Sequence, residues 1–289
     1  RQRVRVFGSA PFVLDRPPLF RVLLLRLDED DHVLVTNVHH IICDIWSSRL
    51  LTVETAELYA AAVEGRPARL PALDVQYMDF AAAHRRWIAG PGGARQAAYW
   101  KEQLAGLVVH ELATDRPRIP GRGRAASTSR PLSADVLDGV RDLARAEQAT
   151  PFVVLLAAFA IVLSRHTGQS EVVVGTPVAN RTSAQVEAMA GVFVNTLVLR
   201  ADLPDHATAR DLVRRLRQTS LDALRHQSYP VEQLVADLRP ARDSGRPSPF
   251  FQVLFNVQTI PPAGQVLASL TSTPVALDGP VTQFDLSVS

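Results

Sequence analysis

Short β-branched runs alternate with longer helical segments along this chain, and that alternation favours an α/β fold. The runs at 21–27 and 32–42 are separated by four acidic residues at 28–31, which predicts a hairpin. Further strands are expected at 171–176, 192–200 and 250–258. Helices are expected at about 48–64, 78–89, 95–104, 134–147, 151–167 and 209–226.

The composition fits a globular protein with a real core. The chain has 289 residues, of which 47% are hydrophobic, and this length suggests one or two domains. A net charge of +2 gives no electrostatic reason to expect nucleic-acid binding. The single cysteine, Cys43, excludes an internal disulfide framework and fits a reducing cytosol, so a cytoplasmic location is expected.

No targeting or membrane segment is recognisable. The longest apolar run, at 151–163, is too short to cross a bilayer and predicts a buried helix, so no membrane partner is expected. The chain opens at Arg1 without a methionine and closes on what looks like an unfinished strand, which leads us to expect a longer polypeptide. The Pro/Gly/Arg-rich passage at 116–124 is the expected boundary between one lobe at 1–115 and another at 116–289.

Two histidines and an aspartate cluster where the second strand of the hairpin is expected to end. Adjacent side chains on an extended strand point to opposite faces, so His39 and His40 should not share one role or one metal ion. One ring is expected to face the core and the other a cleft. Asp44 is expected to organise the following turn, and if buried it needs a cationic partner.

Spacing alone leaves several explanations of this cluster open. Packing and capping residues are the commonest origin of such short patterns. A zinc site built from His39, His40, Cys43 and Asp44 is disfavoured by the alternating faces and by the lack of a second ligand pair at usable spacing. A nucleophilic pair of Cys43 and His40 is disfavoured because the two would face opposite ways, and Cys43 is better explained as a small buried apolar residue.

Residues 39–45, His-His-Ile-Ile-Cys-Asp-Ile, resemble the HHxxxDG active-site motif of nonribosomal peptide synthetase condensation domains. Further stretches resemble other motifs and phrases of that family: QYMDFA at 76–81 (YxDFA), GTPVANR at 175–181, GVFVNTLVLR at 191–200 (GxFVNTxxxR), HQSYPVE at 226–232 (HQDxPFE) and RDSGRPSPFFQV at 242–253 (RDxSRxPLFQV, with one extra residue). They occur in the family's order across nearly the whole chain, which makes the resemblance specific.

The resemblance implies a fold and a reaction. The fold would be two chloramphenicol acetyltransferase-like lobes in a V-shaped pseudo-dimer with a tunnel between them. The N-terminal lobe would be incomplete here, and the C-terminal lobe would be truncated before its last helices. The reaction would join a donor acyl or peptidyl thioester to an acceptor aminoacyl thioester through an amide bond. Phosphopantetheine arms would be supplied by upstream donor and downstream acceptor peptidyl carrier domains, an adenylation domain would lie adjacent, and no metal would be used.

The resemblance also implies a role for each residue of the cluster. His40 would be catalytic, accepting the proton of the attacking amine or orienting it, and His39 and Asp44 would be structural. The family pairs this aspartate with an arginine from an N-terminal segment missing from this sequence, and Arg21 is the substitute we expect. Residues expected to line the substrate tunnel are Ile45, Trp46, Ser47 and Asn256, whereas those expected to act in packing and bracing are Tyr77, Asp79, Asn195 and Arg200.

Within the active-site motif at 39–45, one position departs from the family pattern. Ile45 stands where the family has glycine, and its branched side chain is expected to narrow the tunnel or to demand a shifted backbone. This departure keeps open a non-catalytic platform that recruits carrier domains or a tailoring enzyme. An ester-forming relative or an epimerisation domain is also open, although the stretches at 76–81 and 226–232 favour condensation over epimerisation. A heterocyclisation domain would carry DxxxxD in place of His39 and His40, and is set aside.

Overall fold

The computed structural model describes residues 2–109, 112–115, 125–238, 248–258, 270–273, 275 and 284–289. In chain order the elements are α1 (Gln2–Ser9), β1 (Phe20–Arg26), β2 (His32–Val38), α2 (Ile45–Glu64), α3 (Tyr77–Ile88), α4 (Pro91–Gln103), α5 (Ala134–Ala146), α6 (Pro151–Thr167), β3 (Glu171–Val178), α7 (Ala184–Glu187), β4 (Asn195–Asp202), α8 (Ala209–Arg225), α9 (Val231–Leu238), β5 (Val253–Phe255) and β6 (Leu286–Val288). The mixture of helices and strands confirms the predicted α/β class.

The chain forms two compact units that do not follow a simple division of the sequence. The first contains Arg1–His84, Arg181–Val194 and Ile260–Leu277. The second contains Arg85–Asn180, Asn195–Thr259 and Asp278–Ser289. The passage at 116–124 lies outside the described residues, and residues on both sides of it belong to the second unit. The division into lobes at 1–115 and 116–289 stays a prediction.

The first unit contains the predicted hairpin. Strands β1 and β2 pair antiparallel in full register, from Phe20 opposite Val38 to Arg26 opposite His32. Strand β2 ends at Val38, four residues before the end predicted from its β-branched run, because His40–Ile42 form a 3-10 turn instead. The apolar content of Ile41 and Ile42 predicted a strand, but a local side-chain hydrogen bond to the backbone redirects the chain.

The second unit is built on a four-stranded sheet in the order β4-β3-β5-β6. Strand β3 pairs antiparallel with β4 and parallel with β5, which in turn pairs parallel with β6. Helix α6 begins as predicted, with the Thr150 side chain accepting from the Val153 amide and Pro151 in its first turn. Its apolar residues, including Leu156 and Ala160, are buried in the core of this unit.

Most predicted elements of the second unit agree with the structure within a few residues. The strand predicted at 250–258 is shorter, since only Val253–Phe255 pair with neighbours. Helix α9 was not predicted. Among the described residues no single helix is long and apolar enough to cross a membrane, while α5 and α6, bent by 108°, pass that test only as a pair, by length and composition alone.

We predict that Gly175→Ala destabilises the second unit. A Cβ at Gly175 would overlap the ring of Phe251, which is itself buried, so the substitution should cost about 1–3 kcal/mol of unfolding free energy in urea denaturation. Gly139→Ala is the matched control: it lies within α5 with no atom near a new Cβ, and should stabilise by about 0.5–1 kcal/mol. Equal effects of the two substitutions would contradict the packing described for Gly175.

Candidate active site

The two motif histidines lie at the junction between β2 and the 3-10 turn. His39 has extended backbone angles (φ −72°, ψ 136°), and its Nδ1 accepts a hydrogen bond from the Ile41 amide at 3.0 Å. Its own amide donates to the carbonyl of Leu19 at 2.9 Å. The Cys43 amide donates to the His40 carbonyl at 3.3 Å, which closes the turn. The turn that carries His40 is therefore hydrogen-bonded at both ends.

The exposure of the two rings differs, but not for the reason expected from strand geometry. His39 is half-buried and His40 is exposed. The prediction that both lie on one strand with alternating faces is wrong, because the strand ends at Val38. The difference arises because the His39 side chain folds back as a cap, whereas His40 begins the turn.

Asp44 connects this turn to the following helix. It is the N-cap of α2, and its Oδ1 accepts from the Ser47 amide at 2.8 Å. Its Oδ2 accepts from the Phe193 amide at 3.0 Å. Its own amide donates to the Gly191 carbonyl at 3.4 Å. The expectation that Asp44 organises the turn through backbone amides agrees with these contacts.

The cationic partner of Asp44 is Arg181. Their side chains are 3% and 1% exposed, and Arg181 Nη2 lies 3.2 Å from Asp44 Oδ1. The guanidinium also donates to the carbonyls of Val186 and Met189, and its carbon lies 4.0 Å from the centre of the Phe193 ring. A buried carboxylate without such a partner is strongly unfavourable, so this pair is a structural requirement of the first unit.

The expected pairing of Asp44 with Arg21 is wrong. Arg21 donates to the carbonyls of Ala10 at 3.3 Å and Pro11 at 3.0 Å, and its guanidinium lies 4.1 Å from the centre of the Phe12 ring. These contacts occupy Arg21, while Arg181 already neutralises the buried carboxylate.

The surroundings of Asp44 hold its pKa below the ordinary value of 3.8. Burial by itself raises the pKa, but the hydrogen bonds from Ser47 and the Phe193 amide, together with the Arg181 charge, outweigh it. A carboxyl whose folded-state pKa is lowered stabilises the fold above its unfolded pKa. That contribution is lost as the pH falls below about 4 and through the lowered pKa.

Ser47 belongs to this buried network. It is fully buried, and its hydroxyl donates to the Gly191 carbonyl at 2.6 Å while accepting from the Gly191 amide at 2.9 Å and Arg181 Nη2 at 2.8 Å. A Cβ at Gly191 would overlap the ring of Tyr77, whose hydroxyl donates to the Val192 carbonyl at 2.9 Å. These contacts correct the expected place of Ser47 along a substrate passage, because no part of this side chain is available to a substrate.

The other residues expected along a passage differ in exposure. Ile45, the first residue of α2, is 66% exposed, and Trp46 is 39% exposed with its Nε1 donating to the Glu187 carbonyl at 2.9 Å. Asn256 follows β5 in the second unit and is half-buried, and its backbone amide donates to the Val288 carbonyl at 2.8 Å.

Among the described residues other than glycine, only Gln148 and Asn180 have a positive φ. The backbone of Ile45 is therefore ordinary helix, and the shifted backbone expected there does not occur.

Residues interpreted as packing and bracing groups make such contacts. Asn195 is buried and donates to the carbonyls of Gln227 and Tyr229 at 2.7 Å. Arg200 pairs with Glu171 at 2.6 Å and also donates to two backbone carbonyls. Both residues hold the second unit together internally.

Arg181 is the site residue that sequence reasoning missed, although it ends the family-like phrase at 175–181. A signal was present: a buried Asp44 requires a cation, and Arg181 is the only charged residue of that phrase. The pairing was not predicted because Asp44 and Arg181 are 137 residues apart in the sequence. Within the described part of the chain, no group of three or more histidine, cysteine, aspartate or glutamate side chains could hold a metal ion.

The sequence profile of the condensation domain family matches residues 4–288. The chain belongs to the condensation domain family. Among curated relatives, this condensation domain is 38% identical over 286 residues to one of the linear gramicidin synthase subunits of Brevibacillus parabrevis, covering 98% of the chain and 4% of that protein. It is 38% identical to surfactin synthase subunit 1 of Bacillus subtilis (strain 168), covering 96% of the chain and 8% of that protein. It therefore spans a small fraction of the length of these synthetases.

Solved structures support the same family. The condensation domain aligns with the X-domain from teicoplanin biosynthesis at a TM-score of 0.86 and 27% identity, covering 97% of this chain and 64% of that one. It aligns with the first condensation domain of the calcium-dependent antibiotic synthetase, in complex with a substrate analogue, at a TM-score of 0.69 and 26% identity, covering 90% of this chain and 56% of that one. These neighbours confirm the chloramphenicol acetyltransferase-like fold class implied by the motifs.

We predict that Arg181→Met destabilises the condensation domain by about 3–5 kcal/mol, because it leaves the Asp44 carboxylate buried without its cation. Urea denaturation followed by circular dichroism measures the effect. The control is Arg145→Met, which removes an exposed ion pair with Asp142 and should change stability by less than about 1 kcal/mol. A cost at Arg181 no larger than that of the control would show that the pair does not support the first unit.

Proposed function

We propose that this domain forms an amide bond between two thioester-bound substrates, with His40 as the residue that handles the proton of the attacking amine. The observation that carries the proposal is that His40 is exposed and lies on a fixed turn. His39 caps that turn on one side, and the network around Asp44 holds the chain on the other. An exposed ring on a fixed backbone can meet a substrate without rearrangement of the site.

The proposed reaction conserves atoms and charge in three steps. The lone pair of the acceptor amine attacks the donor thioester carbonyl, forming the C–N bond and a tetrahedral oxyanion. The imidazole of His40 accepts the proton that the nitrogen releases. The oxyanion then collapses, the C–S bond breaks, and the proton passes to the departing thiolate. The products are an amide on the acceptor arm and a free thiol on the donor arm.

Positioning supplies much of the rate enhancement in this proposal. An α-amine has a pKa of about 8, so a useful fraction is neutral near pH 7 and no strong base is required. Holding amine and carbonyl in attack geometry contributes roughly 7–11 kcal/mol. A positioned base such as His40 adds about a hundred- to ten-thousand-fold.

The partners proposed follow from this reaction. Both substrates would arrive on phosphopantetheine arms of upstream donor and downstream acceptor peptidyl carrier domains, with an adenylation domain adjacent. The similarity to the gramicidin and surfactin synthases supports this setting. Ile45, Trp46 and Asn256 are proposed to contact the arms or their cargo, with Asn256 donating to a substrate carbonyl.

A second candidate function is a platform that binds another protein without turnover. Two observations favour it: the high TM-score of 0.86 to the X-domain from teicoplanin biosynthesis, and Ile45 in place of the motif glycine. The domain also aligns with the complex of the X-domain and OxyB from teicoplanin biosynthesis, at a TM-score of 0.83 and 25% identity. Under this proposal the domain would recruit a carrier domain or a tailoring enzyme.

We predict that His40→Ala lowers the rate of amide formation between two loaded carrier domains by at least about a hundredfold, because the proton acceptor is removed. Circular dichroism should show an unchanged fold, since the ring is exposed. His32→Ala, at another exposed histidine of the same unit, is the control and should keep the rate. Unchanged turnover in His40→Ala would refute the assigned role. Carrier binding without turnover in the unmutated domain would favour the platform.

We predict that Ile45→Gly keeps or raises turnover. The side chain is 66% exposed, so its loss removes little packing, and glycine is the residue found in the family motif. Steady-state kinetics with loaded carriers measures the effect, and Ile45→Ala, which trims the same side chain to a methyl group, should likewise not lower the rate. A collapse of kcat in both variants would instead show that Ile45 has a specific role in the reaction.

A further inference from the structure

We infer that Phe12 and Arg21 are positioning residues: they hold the ring of His39, the structural histidine of the motif, in the orientation that fixes the turn carrying His40. The inference rests on the proposed function, because it assumes that the orientation of His40 limits the rate. It assigns to Phe12 and Arg21 an effect on catalysis that acts through His39 and His40. Its basis is a continuous series of contacts within the first unit.

The first contact fixes the turn itself. The Nδ1 atom of His39 accepts from the Ile41 amide, so Nδ1 carries a lone pair and the ring proton resides on Nε2. Ile41 directly follows His40 in the turn His40–Ile42. Because Nδ1 bonds an amide two residues ahead, the backbone on both sides of His40 is held by the orientation of one ring.

The second contact fixes that ring. The rings of Phe12 and His39 meet edge to face, with their centroids 5.8 Å apart and their planes at 83°. This T-shaped arrangement is a favoured one for two aromatic rings and restricts rotation of both. Phe12 and His39 are both half-buried, so neither ring is free to turn into solvent without losing packing.

The third contact fixes the segment that carries Phe12. The guanidinium of Arg21 lies over the Phe12 ring at 4.1 Å and donates to the carbonyls of Ala10 and Pro11. Within the described part of the chain Arg21 forms no ion pair, so the guanidinium interacts with the Phe12 ring and these two carbonyls instead of with a carboxylate. Asn37 on β2 adds a further attachment by donating to the carbonyl of Phe7 at 3.0 Å.

Loosening this series should affect the rate more than the binding of carriers. Without the cap, the turn samples several conformations and His40 spends less time in its productive orientation. Because a smaller fraction of the molecules has His40 in that orientation, kcat falls, whereas contacts made elsewhere with carrier domains are unchanged. A merely structural role would lower the amount of folded protein but leave kcat per folded molecule unaltered.

The test compares two replacements of His39 in the assay with loaded donor and acceptor carriers. His39→Leu removes the acceptor and should lower kcat about tenfold while KM for the loaded carriers changes less than about twofold. His39→Asn places an oxygen at the same number of bonds from the backbone as Nδ1, and asparagine readily accepts from the amide two residues ahead. This variant should restore kcat to within about threefold of the unmutated domain.

Two further variants test the outer contacts without altering His39. Phe12→Ala and Arg21→Gln should each lower kcat about two- to fivefold and, in ¹⁵N NMR spectra, shift His39 away from the single tautomer with the proton on Nε2. The control is Arg26→Gln on the same strand, whose side chain donates only to the Asp28 carbonyl among the described residues and should leave both readouts unchanged. If His39→Leu fails to fold, these two variants still test the inference.

The outcomes separate this inference from the proposed function. If His40→Ala keeps turnover, the proposed function fails whatever His39 does. If His40→Ala loses turnover while His39→Leu keeps its kcat, the positioning role is overturned and the proposed function stands. An equal loss of kcat in His39→Asn and His39→Leu also overturns it, because the acceptor atom would then be irrelevant. Loss in His39→Leu with recovery in His39→Asn supports it.

Discussion

The buried pair of Asp44 and Arg181 is the interaction on which the architecture of the first unit depends. It joins residues 137 positions apart, and its charged atoms are almost completely removed from water. Removing both charges from water is costly, and the amides of Ser47 and Phe193 offset part of that cost by donating hydrogen bonds to the carboxylate. The helix α2, the turn before it and the segment at 181–194 are therefore parts of one network.

This network fixes the backbone on either side of the candidate catalytic histidine, and its polar side chains Asp44 and Ser47 are themselves buried. Asp44 caps the helix that follows the turn, and His39 caps the turn itself. His40 is left exposed between two fixed points. The same arrangement accommodates Ile45. The first turn of a helix accepts a branched residue without strain, so isoleucine in place of the motif glycine changes the exposed surface of α2 and not its backbone.

Much of the fold could be predicted because local rules decide it. Thr150 and Pro151 begin α6, and Gly168 ends it with a φ of 71°, as their cap preferences predict. The hairpin of β1 and β2 follows from its acidic turn. Prediction was wrong where a local and a longer-range preference compete, as at Ile41 and Ile42, whose β-branched side chains favour a strand that the His39 cap interrupts.

Sequence patterns were sufficient to predict the family, the types of most elements, the position of His40 near a strand end and the need of Asp44 for a cation. Three-dimensional packing was required to show that the cation is Arg181 and not Arg21, that Ser47 is buried in the same network, and that Phe12 contacts both Arg21 and His39. The physical reason is distance along the chain. Periodicity and caps act between neighbours, whereas the partner of a buried charge is chosen by packing among segments far apart in sequence.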